Sequence, residues 1–379
     1  MTPVIPLADP LPQPGPPLLI WALLQLTFVL HVLAMNVVLG GSIVALHWRF
    51  SRRAADALQR SALLALFARA LPVAIAATVT LGVAPLLFVQ ALYGRLFFTS
   101  SILMAWLWLG LVPLAIAAYY GAYRLDGLAD APAQRSRALG LGVGLLLAAV
   151  AFLQVTNATR SIRPDTFLAA YRADGRGLLL NLSDPSFWPR YLHVLLGAVA
   201  VAALAVALVG VARRASDPAF SAWAVRRGTT LFAAATAINL FVGMLFLIAL
   251  PKELLILLVG GDTRGVAMLA VAILVAVALA GAALLALGAR NTIAATHTLT
   301  ALTVLTLVLM LLLRDELRQL ALRQAGFEPS PWVATQWGPL AAFAGCLFTA
   351  VAAIAWMVRA LARGSADARA RLRRVHRRA

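Results

Sequence analysis

Nine long apolar runs, roughly 18–47, 70–93, 98–123, 138–157, 190–212, 229–250, 264–288, 291–313 and 337–358, make up most of this chain. A helix needs about 20 consecutive apolar residues to cross the hydrocarbon layer of a bilayer. Within that layer a backbone must satisfy its own hydrogen bonds, so only helices and closed barrels span it. The runs are continuous and lack the apolar–polar alternation of a membrane barrel. The expected fold is an all-α integral membrane protein, a bundle of nine transmembrane helices. The first run does not read as a cleaved signal peptide: it is too long, and no Lys or Arg precedes Arg49.

Composition supports this class. Hydrophobic residues make up 62% and charged residues 12%, whereas soluble domains carry about 25% charged residues. That excludes an ordinary soluble enzyme and a disordered chain. The one cysteine, Cys346, excludes a disulfide framework, a multi-cysteine zinc site and a cysteine-held iron–sulfur cluster. The net charge of +18 does not point to nucleic acid, because the basic residues lie between apolar runs and set topology. Arg49, Arg52, Arg53 and Arg60, then Arg124, Arg135 and Arg137, then Arg213, Arg214, Arg226 and Arg227 mark alternate connections, and arginines crowd the tail. This places the N-terminus outside and the C-terminus in the cytoplasm of a multi-pass inner-membrane protein. The expected organisation is a four-helix group (1–157), an outer loop (158–189), a five-helix group (190–362) and a basic tail (363–379) that sets topology and touches anionic lipid.

All 14 acidic residues fall in connections or at span ends. Intramembrane acids are costly and mark proton paths, so a proton-driven carrier is not expected. Residues 314–324 read as a continuation of the eighth helix into the interface, with Glu316 beside Gln319 and Asp315 beside Arg318. The interior polar residues are His31, His193 and His297, with Asn36, Gln90, Gln154 and Asn239. Imidazole is the usual axial ligand of haem iron, with Met as a common partner. The alternative is that these histidines are interhelical hydrogen-bonding residues, His31 to Gln90 or Asn239. His193, Met268 and Met244 fall at similar depths near the outer surface, and His31 near mid-membrane. Gly40 and Gly41 would let a macrocycle or a helix approach.

At these positions the chain resembles subunit I of the cytochrome bd quinol oxidases. The likeness rests on His31-Val-Leu-Ala-Met-Asn-Val-Val-Leu-Gly-Gly, on Gly82-Val-Ala-Pro-Leu-Leu-Phe-Val-Gln-Ala-Leu-Tyr-Gly94, and on Asp184-Pro-Ser-Phe-Trp-Pro-Arg-Tyr-Leu-His193. It covers about residues 18–260. The resemblance implies two b haems and a further haem of b or d type, quinol oxidation, oxygen reduction and a second membrane subunit. It implies His31 as ligand of the oxygen-reducing haem and His193 as ligand of the low-spin haem b. Met268 is its sixth ligand, with Met244 as the alternative, and Asp315 matches the family's carboxylate ligand. Arg190 and Arg160 then face haem propionates. The chain departs from the family in its short 251–263 connection, its missing Gly-Arg-Gln-Pro-Trp motif and its third span without carboxylates. The expected function is therefore a haem-binding subunit that passes electrons between haems near the outer face, with oxygen as candidate acceptor. A cytochrome c-type partner is the expected electron donor. The alternative is a cofactor-free transporter or structural subunit on the same fold.

Overall fold

The computed structural model describes residues 12–51, 53–128, 133–327 and 332–376. Side chains of the basic tail, 363–379, lie outside the described residues. The helices are α1 (Pro17–Phe50), α2 (Ala57–Leu103), α3 (Ala105–Leu109), α4 (Leu111–Asp126), α5 (Ala133–Arg160), α6 (Phe167–Ala173), α7 (Phe187–Ala212), α8 (Pro218–Ile248), α9 (Lys252–Ile256), α10 (Thr263–Ala286), α11 (Thr292–Gln324) and α12 (Trp337–His376). Among the described residues nine helical segments are long and apolar enough to cross a membrane, as the sequence predicts. We call the end at which α1 begins the upper end.

Local chemistry starts and stops these helices. Pro17 opens α1 at its first position, where a missing N–H costs nothing. Asp217, Asp262 and Asn291 cap α8, α10 and α11 by accepting from the N–H groups of Phe220, Gly265 and Ala294. A wide π turn, Leu257–Gly261, fills the short connection before α10. The segment before α1 pairs with the segment before α12: the Gln13 N–H donates to the Trp332 carbonyl at 2.7 Å.

The expected break between the second and third spans, at 94–97, is displaced. The backbone kinks at Tyr93 (φ −130°, ψ 28°), stays helical to Leu103, and breaks at Met104. The intervening turns are held by burial. Leu96 and Leu103 pack with Phe167 and Leu322, and Ser100 and Ser101 exchange hydrogen bonds with Asn157. The 158–189 loop covers this break through Gly177, whose carbonyl accepts from Trp106. Within that loop Arg163 bonds Asp165 and reaches Asp184, and its bonds to Asp165 raise its affinity for its proton above that of an ordinary arginine.

The crossings of α7 with α1 and α8 are made of small residues. Ala198, Ala203 and Ala207 on α7 are fully buried. A Cβ added at Gly40 of α1 would lie 1.8 Å from the Ala198 carbonyl oxygen, and one at Gly228 of α8 2.7 Å from that of Ala203. Membrane helices gain stability from such close backbone approach, since lipid provides no hydrophobic drive to bring them together. It is α7 that occupies the space over Gly40, and Phe67 of α2 that over Gly41, so neither glycine opens room for a macrocycle. Below this crossing, Val44, Trp48, Leu63, Ala202, Phe220 and Trp223 form one cluster. A second cluster joins α7, α8, α10 and α11 around Leu204, Phe232, Leu279 and Leu299. The ninth span sets Phe343 against Phe88 and Leu340 against Ile20.

Gly40→Leu should separate α1 from α7 and cost at least the 1–3 kcal/mol or so of an overpacked core. Gly142→Ala, with nothing within 4 Å of its added carbon, should cost no stability and gain up to about 1 kcal/mol of helix propensity. Thermal unfolding of the detergent-purified variants, followed by gel filtration, checks the contrast.

Candidate functional site

The interior histidines share one local design. His31 Nδ1 lies 3.0 Å from the Thr78 carbonyl oxygen of α2. His193 Nδ1 lies 3.3 Å from the Asn239 carbonyl oxygen of α8. A carbonyl only accepts, so each Nδ1 carries the proton and the neutral ring keeps its lone pair on Nε2. One turn beyond each carbonyl stands a glycine facing the ring. A Cβ added at Gly82 would meet His31 Cε1 and Nδ1 at 2.8 Å, and one at Gly243 would meet His193 Cε1 at 3.1 Å. A side chain at Gly82 would displace the His31 ring, and one at Gly243 would crowd the His193 ring. His31 hydrogen-bonds Thr78, and neither Gln90 nor Asn239 is its partner here.

The α1–α7 crossing sets the relative depth of the two rings. With Gly40 against Ala198 and Val44 clustered with Ala202, α1 and α7 run side by side in one direction. His31 precedes Gly40 by nine residues and His193 precedes Ala198 by five. At 1.5 Å per residue the histidines differ in height by only about 6 Å. His31 is the higher of the two and sits near the middle of the long α1 helix, Pro17–Phe50.

One turn above each histidine begins a cluster of buried charge. Arg190 lies over the Phe246 ring at 4.8 Å, and its Nε is buried without a hydrogen-bond partner. Arg314 lies over Phe28 at 4.7 Å, and Phe28 stacks on His31. Arg318 lies over Tyr93 at 4.9 Å and 3.5 Å from Asp315. These three guanidiniums are within Coulombic reach of one another. Asp315, 2% exposed, is the carboxylate within the cluster, and Trp21 and Gln319 donate to its Oδ2 at 2.7 and 2.8 Å. Asp184 acts on Arg190 from the edge. Several cations held together in a low-dielectric setting are unfavourable unless anions balance them, so the arrangement suits an anionic ligand group.

Residues 314–324 continue the eighth span as helix to Gln324, as the sequence predicts, but this extension is packed inside the protein. Asp315, Glu316 and Arg318 are all buried. Asp315 pairs with Arg318 as expected, but Gln319 bonds Asp315 and not Glu316. Glu316 instead holds Arg264 of α10 and Arg323, each at 3.1 Å. The sequence missed Thr78, Gly82, Gly243, Arg314 and Arg318. The four-residue spacing of the two arginines, which puts them on one helix face, was the available signal.

The remaining candidates are less closely engaged. Met268 is half-buried on α10, Met244 is 43% exposed on α8, and His297 is exposed near the start of α11. Arg160 is buried at the end of α5 with its Nε unpartnered, and Asp184 is its electrostatic neighbour. Lys252 and Glu253 are exposed on α9.

Asp315→Asn should cost about 3–5 kcal/mol, because it strips the carboxylate from a buried pair and leaves the arginines facing each other. Glu316→Gln should cost about 1 kcal/mol or less, because Arg264 and Arg323 are 60% and 56% exposed and water can solvate them. Paired thermal melts of the two variants test the ranking.

No family model matches this chain, and no curated protein matches it in sequence. Its structure is similar to that of the bd oxidase from Geobacillus thermodenitrificans, with a TM-score of 0.66 and 14% identity over 93% of this chain and 99% of the other. At that identity the likeness establishes the fold: the chain is an all-α membrane bundle built as a bd oxidase chain is built.

Proposed function

We propose that the chain is a haem-binding subunit of a bd-oxidase-like electron-transfer complex in the inner membrane. The observation that carries this reading is the repeated histidine geometry. A ring nitrogen protonated toward a backbone carbonyl fixes the tautomer and aims the other nitrogen's lone pair, as the partners of metal-bound histidines do. Two such histidines at nearly equal height, beneath arginines short of counter-charge, fit two haems whose propionates face Arg190, Arg314 and Arg318. Arginine and carboxylate pair through parallel hydrogen bonds. Haem iron supplies one-electron transfer and, where a coordination position is open, binding of a diatomic gas.

In this reading His193 would hold a low-spin haem b, with Met268, or Met244 as the alternative, as the second protein ligand. His31 would hold a second haem, of b or d type, and Asp315 is the nearby carboxylate. Gly82 and Gly243 keep the imidazoles seated, and Phe28 and Phe246 carry the arginines over apolar faces. The short connection through α9 leaves little chain to build a quinol pocket. Electrons come from a cytochrome c-type donor or a second membrane subunit, with the upper end facing outside and the tail in the cytoplasm. Oxygen is the candidate acceptor at His31.

Pyridine haemochrome and reduced-minus-oxidised spectra of the purified protein test the reading. His193→Ala should abolish a low-spin b band. A carbon monoxide-shifted band should vanish in His31→Ala and also in Gly82→Leu, whose side chain would displace the His31 ring. Protein that purifies folded but free of haem would favour the cofactor-free alternative.

A further inference from the structure

At the lower end, the last turns of α1 lie between α5 and α8, and a cleft of about 660 Å³ opens there. Its walls are apolar: Leu46 and Phe50 from α1, Leu141 from α5, Leu231 and Ala234 from α8. Its mouth is basic and polar, with His47, Ser51, Arg53 and Arg227.

The surrounding charges are already engaged, and those at the mouth are less so. Arg49 bonds Ser136, Arg137 donates to the Arg49 carbonyl, and Arg60 donates to the Ser51 carbonyl. Arg227 gives one nitrogen to Asp56 at 2.7 Å, yet its Nε is buried without a hydrogen-bond partner. Arg53 and His47 are exposed. Asp56 is the carboxylate beside this mouth, and Arg227 engages it. An apolar slot between spans, closed at its head by cationic donors, matches a ligand with an anionic head and a hydrocarbon body. A free anion would leave the apolar wall uncovered, and a neutral lipid would leave the cations unmatched. Basic pockets between transmembrane helices bind anionic headgroups for this reason.

We propose that this cleft binds one anionic phospholipid, its phosphate against Arg53 and Arg227 and an acyl chain along Leu46, Phe50, Leu141 and Leu231. The site is independent of the haem reading and can stand or fall without it.

Native mass spectrometry of the full-length protein, titrated with phosphatidylglycerol, with phosphatidylcholine of the same chains, or with inorganic phosphate, tests it. The expected result is a phosphatidylglycerol adduct at about fivefold or more lower concentration than the phosphatidylcholine adduct, with no comparable binding of phosphate. Arg53→Gln should weaken the phosphatidylglycerol adduct about fivefold, as loss of one surface arginine near an anionic lipid predicts, and weaken the phosphatidylcholine adduct less, so that the selectivity between the two falls. Ala234→Phe, which fills the slot, should suppress the lipid adduct. Because Ala234→Phe also disturbs packing, Arg53→Gln, in an exposed connection, decides if the former fails to fold. Equal binding of the two lipids, phosphate binding that matches phosphatidylglycerol, or an Arg53→Gln protein with undiminished selectivity would each overturn the proposal.

Discussion

The contact on which the rest of this molecule depends is the meeting of the α1 and α7 backbones at Gly40 and Ala198. No side chain separates them there, and no substitution at Gly40 can be accommodated without moving a helix. That contact locks the hairpin of α1 and α2 against the hairpin of α7 and α8. Each hairpin carries one histidine on its first helix and the accepting carbonyl and facing glycine on its second. The relative height of the two histidines is thus set at one crossing well below them. Close packing of small residues makes that crossing stiff.

Above the histidines the same crossing gathers charge. Arg190 arrives on α7, Arg314 and Arg318 on α11, and their aromatic platforms Phe246, Phe28 and Tyr93 on α8, α1 and α2. Cation–π contact lowers the cost of each guanidinium where little water reaches, but it adds no negative charge. Asp315, held by Trp21 and Gln319, supplies one. Glu316, one residue on, is spent on Arg264 and Arg323. The cluster keeps a positive excess where the two histidine-bearing hairpins meet α11, and the proposal of haem carboxylates there rests on that excess.

Much of the fold was legible because membrane spans are written in long hydropathy runs that local detail does not blur. The second and third spans were divided in the wrong place, since Arg95 looks like a connection and instead lies in a helix that runs on to Leu103, where Ser100 and Ser101 are buried. His31 and His193 were legible as candidates because an interior imidazole is conspicuous. Their partners were not, because Thr78 and Asn239 act through backbone carbonyls that any residue would provide. The helical continuation through Arg314, Asp315 and Arg318 was legible, but their burial was not, because it comes from the packing of α1, α2 and α7 around them. Nothing in the sequence placed Arg53 and Arg227 on one cleft, because they lie 174 residues apart.

Anchoring the histidines on main-chain oxygens has a consequence for how such a protein can diverge. Thr78 and Asn239 share no chemistry in their side chains, yet they do the same work. A lineage built this way can rewrite the accepting helix almost at will, provided the histidine and the glycine one turn beyond the carbonyl are kept. The apolar remainder is equally free, since one lipid-facing aliphatic residue serves as well as another. Very little of the sequence is then tied to the site. A shared fold at 14% identity, with no family model recognising the chain, is what drift under so few fixed positions would leave behind.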